Sequence, residues 1–151
     1  AMTQEQKDLL LKDLCGRLPY RTIIAHEGKL SMLDVIFMCD SISISSTSID
    51  KELFYNLDLD EVKPYLFPLS SITEEQSMEL FKLFGISLVD SIGTDYIKIN
   101  ECTGITFFLN KGFDVETHLD KLIDWLNKNH FDYRGLIEKG LAIDATCKNI
   151  Y

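Results

Sequence analysis

The sequence is short of the residues that most small-molecule chemistry needs. Its three histidines, His26, His118 and His130, form no H-E-x-x-H pair, so a helical zinc site lacks its ligands. The four cysteines, Cys15, Cys39, Cys102 and Cys147, never fall as C-x-x-C, which excludes a zinc ribbon or a disulfide framework. Cys15 and Cys39 sit among apolar residues and read as small buried hydrophobes. The glycines make neither a dinucleotide fingerprint nor a phosphate loop, and no G-x-S-x-G elbow presents a serine nucleophile. These patterns imply no cofactor, no metal and no catalytic residue. No apolar run approaches the ~18 residues that would cross a bilayer, and the N-terminus is too polar for a signal peptide. A cytoplasmic location is the default expectation.

Basic residues are also scarce, with 15 Lys and Arg against 24 Asp and Glu and a net charge of −9. Binding to DNA, RNA or anionic membranes rests on cationic side chains, so none of these is an expected partner. An acidic chain can instead mimic nucleic acid, which would require Asp58, Asp60, Glu61, Glu74 and Glu75 to array on one face. Asn56 to Glu61 invites a calcium reading, but the sixth and twelfth positions hold Glu61 and Phe67 where an EF-hand needs Gly and Glu. What is present is ordinary for a globular protein: 151 residues, 46% hydrophobic and 26% charged. That length predicts a single domain over 2–151, with Ala1 an expression scar, able to bury roughly 70% of its unfolded surface.

Thr3 with Gln6 is a capping-box pattern that starts a helix over 4–17, with Leu10, Leu14 and Leu18 inward, and Pro19 ends it. Tyr20 to Ala25 predicts a strand, and Glu27-Gly28-Lys29 a turn. Leu30 to Cys39 is nearly continuous apolar sequence and predicts a central strand covered on both faces. Ser41 to Ser45 alternates strictly, a strand with one wet face, followed by a turn at Ser46-Thr47-Ser48. Leu53, Tyr55, Leu57 and Leu59 would share one strand face. Pro64 and Pro68 bracket an apolar but irregular connector. Thr73 to Gln76 repeats the first helix-start signal, with the helix stopping at Gly85 and burying Met78, Phe81 and Phe84 or else Leu80 and Leu83. A short strand at 86–89 and a hairpin of Tyr96–Asn100 with Ile105–Leu109, turned through 101–104, follow.

The stretch from Asp114 to Ala142 organises the rest. Asp114 is a good N-cap, and Val115, Leu119, Leu122, Ile123 and Leu126 lie on one helical face. The helix should stop at Asn129-His130, after which Asp132 would cap a short second helix through Lys139, with Gly140 as its stop. Clustered strands with short links then predict an α+β fold. Its parts would be an N-terminal helix, an antiparallel sheet of about four to six strands, helices packed on one face, and a C-terminal helical corner.

The run Asp124-Trp125-Leu126-Asn127-Lys128-Asn129-His130-Phe131-Asp132-Tyr133-Arg134-Gly135 and onward to Ala142 resembles the C-terminal segment of a family of small uncharacterised proteins of gut Bacteroidales and their phages or mobile elements. Arg17-Leu18-Pro19-Tyr20, and Val62 to Ser71 running into Thr73-Glu74-Glu75, are similar to that family too, in the same order. The resemblance implies a phage-like or mobile-element origin and carries over no activity. The sequence's own candidate for a binding site is the corner His130, Phe131, Asp132, Tyr133 and Arg134. An arginine there can hold a carboxylate or phosphate in bidentate fashion, and a histidine beside a carboxylate can act as a base. The alternative is a structural turn, with Asp132 capping and the aromatics packing. The expected function is therefore a non-enzymatic protein-interaction or accessory factor with a protein partner. The rivals are a small enzyme or ligand-binding domain built on His130, Asp132 and Arg134, and the acidic mimic.

Overall fold

A computed structural model describes residues 2–38, 41–84, 86–87, 96–100, 105–109 and 115–151, giving the backbone alone for 81, 84, 86–87, 96–100, 105–109 and 115–119. The fold is α+β, and the chain forms two compact units, 1–66 with 136–151, and 67–135.

The first unit starts with α1 (Gln4–Arg17). Its capping box closes as expected: Thr3 Oγ1 accepts from the Gln6 N–H at 3.2 Å and Gln6 Oε1 accepts from the Thr3 N–H at 3.0 Å. The Pro19 segment is a single 3-10 turn, Leu18–Tyr20, and Arg21 at φ 55° delays the strand, so β1 is Ile23–His26. Then come β2 (Lys29–Met38), β3 (Ile42–Ser48), β4 (Leu53–Leu57), β5 (Val62–Pro68) and, near the end of the chain, β10 (Ile143–Asp144). The sheet order is β10-β5-β1-β2-β3-β4. All neighbours are antiparallel except β10, which runs parallel to β5. One sheet face packs Ile24, Leu33, Ile44, Leu57, Val62 and Leu66 against Leu10 and Leu14 of α1. Full burial of each such side chain contributes about 1.5–3 kcal/mol.

Two bulges decide which residues face out. On β2, Asp34 is the extra residue between the pairs Leu33↔Ser46 and Val35↔Ser45. On β4, Tyr55 and Asn56 together oppose Ser45, with Asn56 at φ 55°. Each extra residue reverses the in–out alternation. The covering expected on both faces of β2 is therefore absent, since Val35 and Phe37 are exposed. Likewise Leu53 and Tyr55 face solvent while Leu57 is buried, and the expected common stripe is split. The turn expected at 46–48 is a continuation of β3 to Ser48.

The irregular connector expected at Pro64 to Pro68 is a regular strand. Val62, Pro64 and Leu66 alternate inward with Lys63 outward. The Leu66 carbonyl accepts from the Ala145 N–H at 2.8 Å, so the Leu66 backbone faces away from β1. Pro64, two residues earlier, faces the same way, and its missing N–H takes no rung from the β1 ladder. The next rung of that ladder is supplied by a side chain. Tyr151 Oη donates to the Tyr65 carbonyl at 2.7 Å and accepts from the Ile23 N–H at 2.9 Å, and burial of the hydroxyl pushes its pKa up.

The β1–β2 hairpin turns on Glu27 (φ 47°) and Gly28 (φ 74°), both left-handed, as a two-residue type I′ turn requires. Asparagine tolerates that conformation better than glutamate. Glu27→Asn is expected to add about 0.5 kcal/mol, read as a rise of roughly 1–2 °C in Tm by differential scanning calorimetry.

In the second unit, α2 (Glu74–Phe84) starts from a second capping box, Thr73 with Gln76 at 3.0 and 3.2 Å. Leu80 is buried, whereas Met78 and Leu83 are exposed. The sides of Phe81 and Phe84, the Gly85 stop, the 101–104 turn and the Asp114 cap lie outside the described side chains and residues. Strands β6 (Ile86–Ser87), β7 (Tyr96–Asn100) and β8 (Ile105–Leu109) form a small sheet in the order β6-β8-β7, including the expected hairpin. Helix α3 (Val115–Lys128) leads to β9 (Phe131–Asp132), which pairs in parallel with Phe67 and Pro68. A core of Leu69, Leu80, Leu122, Trp125, Leu126, Phe131 and Tyr133 holds this unit.

The second helix of the expected corner does not form. Asp132 is a strand residue opposite Pro68, so it is not placed to cap a helix. Gly135 at φ 72° then diverts the chain, and residues 136–140 make successive turns closed by Gly140 N–H to Ile137 C=O and Leu141 N–H to Leu136 C=O.

Candidate functional site

The corner singled out in the sequence is brought together, chiefly as interior. Helix α3 ends because the Asn129 side-chain amide donates to the Trp125 carbonyl at 2.9 Å and His130 takes φ 61°. The His130 carbonyl accepts from the Phe67 N–H at 2.8 Å and so starts the β9 pairing. Phe131 is buried, stacked on Trp125 with ring centroids 5.7 Å apart and planes at 17°. Asp132 is buried. Tyr133 is buried too, its hydroxyl donating to Asn127 Oδ1 at 2.9 Å. The Arg134 guanidinium lies over the Tyr133 ring, 4.8 Å from its centroid, a cation–π contact on a half-buried side chain. Phe131 is 1% and Tyr133 3% exposed. The aromatic surface of the corner is spent on packing.

Among the described residues no three His, Cys, Asp or Glu side chains converge as a metal site would require. A cavity of about 270 Å³ opens in the first unit, lined by Met2, Leu59, Asp60, Lys63, Lys139 and Leu141 among others, and no corner residue lines it. Its one carboxylate is already engaged: Lys7 Nζ lies 3.2 Å from Asp60, and that hydrogen bond holds the Asp60 carboxyl below the usual range. The Glu61 carboxylate accepts from the Asp58 N–H at 2.8 Å. Burial pushes the Cys15 thiol up, away from a reactive thiolate.

The unspent apolar surface lies on the outer face of the sheet, which includes the face of Leu30 to Cys39 expected to be covered. With Ile44 and Ser46 of β3 buried, Ser43, Ser45 and Thr47 face out. The register puts Val35 and Phe37 of β2 beside Ser45 and Ser43, and Leu53 of β4 beside Thr47. The result is a stripe of hydroxyls between two apolar rails, with Phe37 55%, Leu53 55% and Tyr55 64% exposed. Ile49, just past the end of β3, is exposed as well. The signal that could have found it was the rhythm of Ser41 to Ser45, whose wet face must be shared by the neighbouring strands.

Among the described residues, no helix is long and apolar enough to cross a membrane. No protein-family model matches the chain, and neither does any curated protein or any solved structure.

Proposed function

We propose that this chain is a non-enzymatic protein-interaction factor, an accessory protein of a phage-like or mobile genetic element, that docks its partner on the outer face of β2, β3 and β4. The observation that supports this reading is the pair of exposed apolar rails on that face. Val35, Phe37, Leu53 and Tyr55 come from two strands yet point the same way, and aromatic anchors of this kind carry most of the energy in protein interfaces. The stripe between them is polar: Ser43 Oγ donates to Asn56 Oδ1 at 3.1 Å and Thr47 Oγ1 donates to the Asp34 carboxylate.

The reading predicts a separation of binding from stability. Phe37→Ser/Tyr55→Ser changes two exposed side chains, so unfolding free energy should move by no more than ~0.5 kcal/mol for each substitution. Affinity capture from host extract, quantified by mass spectrometry, should lose at least one protein in the double variant that the wild type enriches. Retention of the same set by both proteins would remove this face as the docking surface.

A further inference from the structure

We infer that the free edge of β4 takes an extended, basic segment of a partner protein as an added strand. The inference rests on the docking face proposed above and names its occupant. Among the described residues β4 ends the sheet, with no strand on its outer side. The Ser48 N–H donates to the Glu52 carbonyl, so Glu52 and, two residues on, Phe54 direct their backbone groups at β3. Leu53 and Tyr55 therefore aim their N–H and C=O groups at the open edge. Their side chains stand on the outer face, 55% and 64% exposed, where those of an added strand would lie beside them. Main-chain rungs plus alternate side-chain contacts are what strand addition uses.

Charge selects among occupants. Glu52 and Asp58 flank β4 directly, and from Glu27 to Glu61 the sequence carries eight carboxylates against two lysines, Lys29 and Lys51. Lys29 is already held 3.2 Å from Glu52. A second copy paired edge to edge would bring the same carboxylates against these, on top of a net charge of −9 per chain. A segment that alternates lysine or arginine with apolar residues meets both features, its cations reaching the acidic rim and its apolar side chains the Leu53–Tyr55 rail.

The test uses the full chain as bait for a phage-displayed library of random 12-residue peptides. Recovered peptides are synthesised and titrated by fluorescence anisotropy at low and high salt. The expected winners are basic and alternating, and high salt weakens them. Leu53→Ser/Tyr55→Ser should bind them about tenfold less tightly or worse. N-methylation of alternate peptide residues should abolish binding in one register and spare it in the other, a signature of main-chain pairing. Acidic winners, indifference to both methylation registers, or no enrichment would overturn the inference. Helical peptides lost on Phe37→Ser would overturn strand addition while leaving the docking face standing. A wild-type dimer in sedimentation velocity, lost in Leu53→Ser/Tyr55→Ser, would replace the basic partner by a second copy.

Discussion

Replacing Arg17 by methionine is expected to destabilise the fold by about 3–5 kcal/mol. Asp13 and Arg17 stand one turn apart on α1, and both are fully buried. Arg17 Nε lies 2.7 Å from Asp13 Oδ2 and Nη2 lies 3.1 Å from Oδ1, a two-pronged geometry that fixes both side chains. Removing only the guanidinium leaves a carboxylate in the interior with its main cation gone, and that desolvation is what the variant suffers. The control is Asp13→Leu/Arg17→Met, which removes both charges and fills the space with apolar atoms. It should recover most of the loss, and a gain over wild type would follow the usual behaviour of buried ion pairs replaced together. Urea unfolding followed by circular dichroism reads both. A loss under ~1 kcal/mol in the single variant would mean the pair behaves as a surface salt bridge, against the burial observed.

The same pair shows where sequence reading stops. Aspartate and arginine four apart on a helix read as a solvated face, because an i,i+4 spacing is the same whether water or a strand lies beyond it. Both capping boxes were legible, since Thr3 with Gln6 and Thr73 with Gln76 each satisfy backbone groups within three residues. The strict alternation of β3 and the β7–β8 hairpin were legible for the same reason of locality. The bulges at Asp34 and Asn56 were not, because an extra residue exists only relative to the partner strand. That one blind spot hid the candidate docking face: Leu30 to Cys39 is apolar enough to be interior, and only the bulge turns Val35 and Phe37 outward. The corner failed differently. Its expected second helix gives way to the pairing of Phe131 and Asp132 with Phe67 and Pro68, positions 64 apart, which no local capping rule anticipates.

Phe131→Ala is expected to cost about 3–5 kcal/mol, comparable to the loss of the ion pair but by a different route. Phe131 is 1% exposed, stacked on Trp125 and tilted against Phe67 at a centroid distance of 6.4 Å. Truncation removes the ring's contacts and leaves a cavity that the backbone can close only by moving β9, whose pairing the His130 carbonyl anchors on Phe67. The chain has one tryptophan, so Trp125 emission reports this core alone. Emission should shift to the red in the native baseline, and the urea midpoint seen by fluorescence should fall. The readout also decides what the corner is for. If Phe131 is a packing residue, partner binding and the folded structure should be lost together as urea rises, with affinity near wild type while the fold holds. If the variant stays as stable as wild type yet loses its partner, the aromatic residue acts as a contact, and the functional surface moves from the outer sheet face back to the segment 130–134.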